Sequence, residues 1–282
     1  MAQIFIITVA HFFIITSGSK IRHHLAQIFI DIHTIAEVID SRAFSEFCKM
    51  DSSSQIPDRN TLGRFRNLLE KHGLQEKFFS QVVELLQGKG LILKKGTIVD
   101  STIIKAPSST RNQDGKRDPD AHSTRKGNTW YFGYKAHIGA DKDSRLVHSV
   151  IVTAANVHDV TVVPELLTGE EETVYGDSGY LGAEKRDDAV THNRNGKKIR
   201  YRINRRPSQY KNVSARSRGQ IRRREHEKSS VRVKVEHIFG IVKGQLHYRK
   251  TRYRGLPKQI SKLYMMFALA NLIMADRPHL AA

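Results

Sequence analysis

Cysteine is almost absent: Cys48 is the only one in 282 residues. No intrachain disulfide can form, and a cysteine-built zinc site is excluded. A lone cysteine fits a reducing compartment, and a cytoplasmic location is expected. Long hydrophobic runs are also lacking. The oily start contains Ile4–Ile15, about 12 residues against the roughly 20 of a spanning helix, and His11 interrupts it. No Lys or Arg precedes it, as a secretory signal would require. Residues 1–34 therefore read as an atypical apolar leader, and no membrane partner is expected. His23, His24 and His33 lack convincing ligand partners, so no zinc site is assigned. The third scarcity is acid. Lys and Arg number 47 against 28 Asp and Glu, a formal net charge of +19. Residues 189–224 hold thirteen of the cations and no acid, which leaves +6 for the rest. Cationic charge so concentrated is a footprint for phosphate, and nucleic acid ranks ahead of an anionic membrane. The 39% hydrophobic content excludes wholesale disorder.

Three regions follow from the patterning. Pro57-Asp58-Arg59-Asn60 is turn and N-cap chemistry. Leu62, Phe65, Leu68 and Leu69 then recur at helical spacing over Thr61–Lys71, with Gly73 as the cap. A second helix is expected over Leu74–Gln87, so residues 35–90 form a helical N-terminal region; helical pairs rich in Arg and Lys sometimes bind DNA but more often simply pack. At Leu91 the pattern changes. Leu91–Leu93 and Thr97–Ile104 are β-branched and apolar, hence strands. Residues 107–129 read as a loop, and Trp130–Ile138 and Leu146–Ala154 as a hairpin. Val157–Leu167 is helical, with His158-Asp159 near its start, and a short strand ends at Asp177. A basic insertion, 181–228, separates this from a helix beginning near Val231, and Ile260–Met274 is a closing apolar helix. Residues 91–275 thus predict an α/β domain, a mixed sheet flanked by helices.

Three acids stand out. Asp100 interrupts a very apolar strand, where an ionised carboxylate is costly unless paired or metal-bound. Asp177 sits in Gly-Asp-Ser-Gly-Tyr, whose glycines permit a tight turn. Glu236 lies on the helix Val231–Lys243. At 100° per residue Arg232, Glu236 and Lys243 fall within about 40° of one another, on one edge beside an apolar stripe. A solvated face with i,i+4 ion pairs would look the same on that helix alone. Two strand acids and one helix acid can together hold two Mg²⁺ ions, which take hard oxygen ligands and leave room for substrate phosphate. His158-Asp159 reads as a helix start or as an orienting pair, the first being favoured. Trp130 and Tyr131 could stack on a base, but core packing is favoured.

Five stretches carry a resemblance that covers about residues 36–275: the strand around Asp100, Trp130–Gly139, Val147–Asp159, Tyr175–Tyr180 and Val235–Lys243. The chain resembles the DDE transposases of bacterial insertion sequences, whose catalytic domain is RNase H-like and related to retroviral integrases. The resemblance implies that Asp100, Asp177 and Glu236 are the catalytic, metal-binding acids. It implies two Mg²⁺ ions, with Mn²⁺ able to substitute. Arg232 and Lys243 match the Arg and Lys of the family's signature and would grip phosphate, while the signature's Tyr falls on Ser229. Arg205, Arg206, Arg222, Arg223 and Arg224 of the basic insertion are further expected DNA contacts. The implied activity is hydrolysis at the element's ends followed by transfer of the 3′-OH into target DNA. The implied partners are duplex DNA (terminal inverted repeats and target) and further copies of the chain, in a bacterial, nucleoid-associated setting. Two rival readings are a standalone RNase H-like nuclease and a degenerate relative that binds DNA without cutting it. Residues 1–33 lack the aromatic-rich helix that the resemblance leads one to expect.

Overall fold

The computed structural model describes residues 59–275 apart from Asn212. The leader and the first part of the expected helical region lie outside the described residues. Helix α1 (Arg59–Lys71) turns into α2 (Leu74–Gly88) at Gly73, whose φ of 59° is the left-handed conformation that glycine adopts most cheaply. Phe78, Phe79, Val82, Val83 and Leu86 recur at helical spacing on α2 and are all buried. They pack against the closing helix α6 (Leu256–Ala275), with the Phe79 and Tyr264 rings 5.6 Å apart.

The sheet is built from β1 (Gly96–Lys105), β2 (His122–Lys126), β3 (Thr129–Asp141), β4 (Val147–Ala154), β5 (Thr173–Gly176) and β6 (Arg200–Ile203). Its path is β2-β3-β1-β5-β6, and β4 also pairs with β3. β1, β3 and β4 are antiparallel neighbours, whereas β5 and β6 run parallel to β1. This is the mixed sheet that the patterning predicts.

Alternation along β1 feeds two cores. Ile98 and Ile104 face the cluster formed with α2, α6 and α5 (Glu236–Gly240). Val99 faces the other cluster, with Val162, Val163 and Leu166 of the turn Asp159–Val162 and α3 (Val163–Leu166), and with Ile203. Asn271 of α6 clamps both backbone groups of Val147 at 2.8 and 2.7 Å, satisfying the rim of β4 inside the core.

Two expectations need correction. Leu91–Leu93 is not a strand: the N–H groups of Leu93 and Lys94 are taken by the Asp141 carboxylate at 3.1 and 3.0 Å. Residues 107–129 are not wholly loop, because β2 pairs with the start of β3 across Gly127-Asn128. That two-residue turn, with Gly127 at φ 61°, is a recognisable hairpin signal. The basic insertion folds too, supplying β6 and most of α4 (Ala215–Arg232). Among the described residues no helix is long and apolar enough to cross a membrane.

Candidate active site

The parallel ladder between β1 and β5 pairs Ile98 with Tyr175 and goes no further. Asp100 and Asp177 each lie two residues beyond that last pair, at the same level, where the strands part. The carboxyl end of a strand, here that of β5, is where open α/β sheets collect functional side chains. Asp100 remains in the β1–β3 ladder opposite Ile138, so its backbone is fixed from one side. Its Oδ1 accepts the N–H of Ser101 at 2.8 Å. Burial pushes the Asp100 carboxyl up to about 6, and the nearby Asp177 charge adds to the rise, against the Ser101 N–H and Arg232.

Asp177 opens a tight turn, its Oδ1 accepting the N–H of Gly179 at 2.8 Å. A Cβ on Gly179 would stand 2.9 Å from that same Oδ1. A Cβ on Gly176 would crowd Ile203 at 3.0 Å and Tyr180 at 3.1 Å. Both glycines thus allow close approach. Tyr180 is buried beneath the turn, with its hydroxyl beside that of Ser101. Burial, followed by the charges of Asp159, Asp100 and Asp177, pushes its hydroxyl well above the usual range.

Glu236 is the first residue of α5, on a backbone that stays helical from α4 through the intervening 3₁₀ turn. Arg232 links the elements: Nη1 lies 3.4 Å from Asp100 Oδ2 and Nη2 lies 3.9 Å from Glu236 Oε1. The side chain expected to meet phosphate is therefore held between two of the three acids. Among the described residues no three His, Cys, Asp or Glu side chains are gathered closely enough to hold a metal ion. The donor chemistry is nevertheless the hard, all-oxygen set that Mg²⁺ takes.

The helix is not regular. A 3₁₀ turn (Val233–Val235) precedes α5, and a π turn (Ile241–Gln245) follows it. Ideal 100° steps therefore do not apply across Arg232–Lys243. Burial, aided by Lys126, Arg249 and Lys105, pushes the Lys243 ammonium below the usual lysine range. Lys126 of β2 acts electrostatically on both Asp100 and Lys243. Sequence patterning does not single it out, because the strand that carries it is polar and mostly exposed.

Arg205, Arg206, Arg222, Arg223 and Arg224 are all exposed, well placed for solvent-borne phosphate. Ser229 does not leave a gap where the signature has Tyr. It accepts a hydrogen bond from Asn204 Nδ2 at 3.0 Å, tying α4 to the end of β6. Trp130 is 67% exposed, so the core reading of that residue is overturned. Its neighbour Tyr131 lies under Lys105, with Nζ 5.2 Å from the ring centroid.

Asp159 is the other residue underrated in the sequence. Its Oδ1 receives the Ser101 hydroxyl at 2.9 Å and pairs with Lys135 Nζ at 3.1 Å. His137 Nδ1 stands 3.4 Å away, and burial lowers that imidazole to about 4. The helix-start reading is correct as far as it goes, since Asp159 opens the turn before α3.

No solved structure matches the chain. Residues 92–272, well over half of the chain, match the family described as Transposase DDE domain. Sheet order, the facing aspartates and that match agree, and the chain belongs to the Transposase DDE domain family, as a DDE transposase of the RNase H-like type.

Proposed function

We propose that the protein cuts DNA at the ends of a mobile element and joins the freed 3′-OH to target DNA, with Asp100, Asp177 and Glu236 as its catalytic acids. The observation that carries this reading is the register of β1 and β5, which brings Asp100 and Asp177 level where the two strands part, beside an arginine that also reaches Glu236. The three carboxylates would hold Mg²⁺, with Mn²⁺ as a substitute. When bound, the metal supplies Lewis-acid stabilisation of the attacking and leaving oxygens at phosphorus.

The chain's own residues do the rest. Arg232 balances the acids while no phosphate is present, and transfers its planar fork to a phosphate that enters. Lys126, which acts on both Asp100 and Lys243, marks a cationic flank of the site. Arg205, Arg206 and Arg222–Arg224 add a sequence-independent hold on the backbone of the element's ends and of the target. Two ends must be joined, so a homo-oligomer is proposed. The helical region 35–90 is proposed to serve end binding or pairing of copies, and residues 91–275 to be the catalytic domain.

The test is Mg²⁺-dependent cleavage of a supercoiled plasmid carrying the element's ends, comparing the natural chain with Asp177→Ala. Cutting by the natural chain alone supports the reading. Equal cutting by both removes Asp177 from the chemistry. A second reading, DNA binding without cutting, is favoured by the spacing of the acids: among the described residues no three His, Cys, Asp or Glu side chains gather closely enough to hold a metal ion. It predicts binding and no cutting by either protein. A strand-transfer assay separates a transposase from a plain nuclease.

A further inference from the structure

We propose that Asp159 is a positioning residue for the aspartate pair, acting on Asp100 through Ser101 and bordering the turn that carries Asp177. This rests on the reading of Asp100 and Asp177 as catalytic acids.

Strand alternation places Asp100 and Ser101 on opposite faces of β1. Asp100 points to the face that carries Arg232, and Ser101 to the face that carries Asp159. Ser101 is opposite His137 in the β1–β3 register, and Lys135 lies two residues further along the same face of β3. These three side chains converge on one oxygen, Asp159 Oδ1. Lys135 is itself anchored, donating to the Val157 carbonyl at 2.8 Å. His137 is anchored through Nε2 and the Thr153 hydroxyl at 2.8 Å.

The consequence for Asp100 is direct. Ser101 gives its hydroxyl to Asp159 and its N–H to Asp100 Oδ1, so fixing the hydroxyl fixes the peptide that orients the carboxylate. The other oxygen of Asp159 faces the second aspartate's turn. Oδ2 would stand 4.0 Å from a Cβ on Gly179, the residue whose N–H holds Asp177 Oδ1. One carboxylate therefore borders both catalytic strands from behind. A purely structural helix start would need none of these partners. Groups that orient metal-binding side chains are worth about 10–100-fold in metal affinity or activity.

Three variants test this in the full-length chain: Asp159→Asn, Ser101→Ala and Ser101→Thr. Each is measured for DNA affinity, single-turnover cleavage and Mn²⁺ binding followed by electron paramagnetic resonance. Asp159→Asn and Ser101→Ala are expected to lower cleavage and Mn²⁺ affinity about 10–100-fold, with DNA affinity unchanged. Ser101→Thr retains the hydroxyl and is expected to stay near the natural rate. The double variant Ser101→Ala with Asp159→Asn should be no worse than Asp159→Asn alone, because both break one connection.

Natural rates and Mn²⁺ affinity in Ser101→Ala, alongside a dead Asp177→Ala, would overturn the proposal and leave the catalytic reading standing. Loss in Asp159→Asn without loss in Ser101→Ala would also overturn it. Should Asp159→Asn fail to fold, the two Ser101 variants decide the question. If Asp177→Ala itself cleaves and binds Mn²⁺ normally, the catalytic reading falls and this inference with it.

Discussion

Asp100 and Glu236 differ in how they are held. The Asp100 side chain is 15% exposed, sits in a ladder on β1 and is oriented by its neighbour's N–H. The Glu236 side chain is 61% exposed, at the start of a short helix between a 3₁₀ turn and a π turn. The sheet side is built before any substrate arrives. The helix side is anchored by buried Val235, Ile238 and Val242, yet its charged edge is left to adjust. Helical irregularities of this kind recur at functional sites. The comparison teaches that burial fixes one acid at a cost in stability, while exposure leaves the third acid free of that cost.

The sharpest way to break the comparison is to neutralise each acid in turn. Both Asp100→Asn and Glu236→Gln are expected to lower cleavage at least roughly 10³-fold, since metal stabilisation of the reacting oxygens is worth several kcal/mol. Only Asp100→Asn should stabilise the metal-free protein. Its folded-state carboxyl is raised to about 6 from 3.8. The natural chain therefore loses stability as pH rises from about 4 to about 6 and gains none back above. Removing that charge is expected to add about 1–3 kcal/mol at pH 7. Glu236→Gln should stay within about 0.5 kcal/mol. Chemical denaturation at pH 7 and at pH 4 checks both, and equal shifts in the two variants would abolish the distinction.

The helix side has its own anchor to test. Ile238 is fully buried, and Ile238→Ala is expected to cost about 2–5 kcal/mol in denaturant titration. Val233 is 48% exposed, and Val233→Ala should cost less than about 0.5 kcal/mol. A similar loss at both positions would mean that the helix is held by something other than its apolar stripe.

The sheet side contains a second pH-sensitive element. His148 bonds the Thr97 hydroxyl at 3.1 Å, and burial lowers its imidazole from 6.5 to about 4. A depressed histidine stabilises the fold above the unfolded value of 6.5, and that contribution is lost as pH falls towards 4. The loss is expected to approach at most about 3 kcal/mol. A His148→Gln variant should lose only the share of the slope that His148 contributes between pH 4 and 7, because His137 is depressed in the same way and Asp100 titrates with the opposite sign.

The smallest expected effect concerns the exposed arginines. Replacing Arg222, Arg223 and Arg224 together by Ala should lower the slope of log affinity against log salt by about 3 and leave cleavage at saturating DNA unchanged. An unaltered slope would move the DNA path away from α4.

Much of the fold was legible because periodicity reports burial. The β-branched run around Asp100, the Trp130 hairpin and the closing apolar helix all appear where alternation or helical spacing placed them. Leu91–Leu93 shows the limit: three apolar residues can be an extended linker when a carboxylate takes their N–H groups. β2 was missed because His122–Lys126 is polar and mostly exposed, so only its Gly127-Asn128 turn betrayed it. Within the site, the acids were legible as anomalies of type, a charge in an apolar strand and an acid between glycines. Asp159 was not, since an acid at a helix start already has a sufficient local explanation.

Which residue types could do the chemistry, the strand or helix that carries each of the three acids and the cationic character of the 189–224 segment are all written in the chain. Those properties are local, set by propensity and patterning within a few residues. It took the tertiary structure to show that Arg232 spans 132 residues to reach Asp100, that Lys126 lies near enough to Lys243 to disfavour its charge, that Trp130 faces solvent and that Ser101, Lys135 and His137 meet on Asp159. Such meetings depend on ladder register and on helical turns that depart from ideal geometry, and on the packing of segments far apart in the chain, none of which a local pattern encodes.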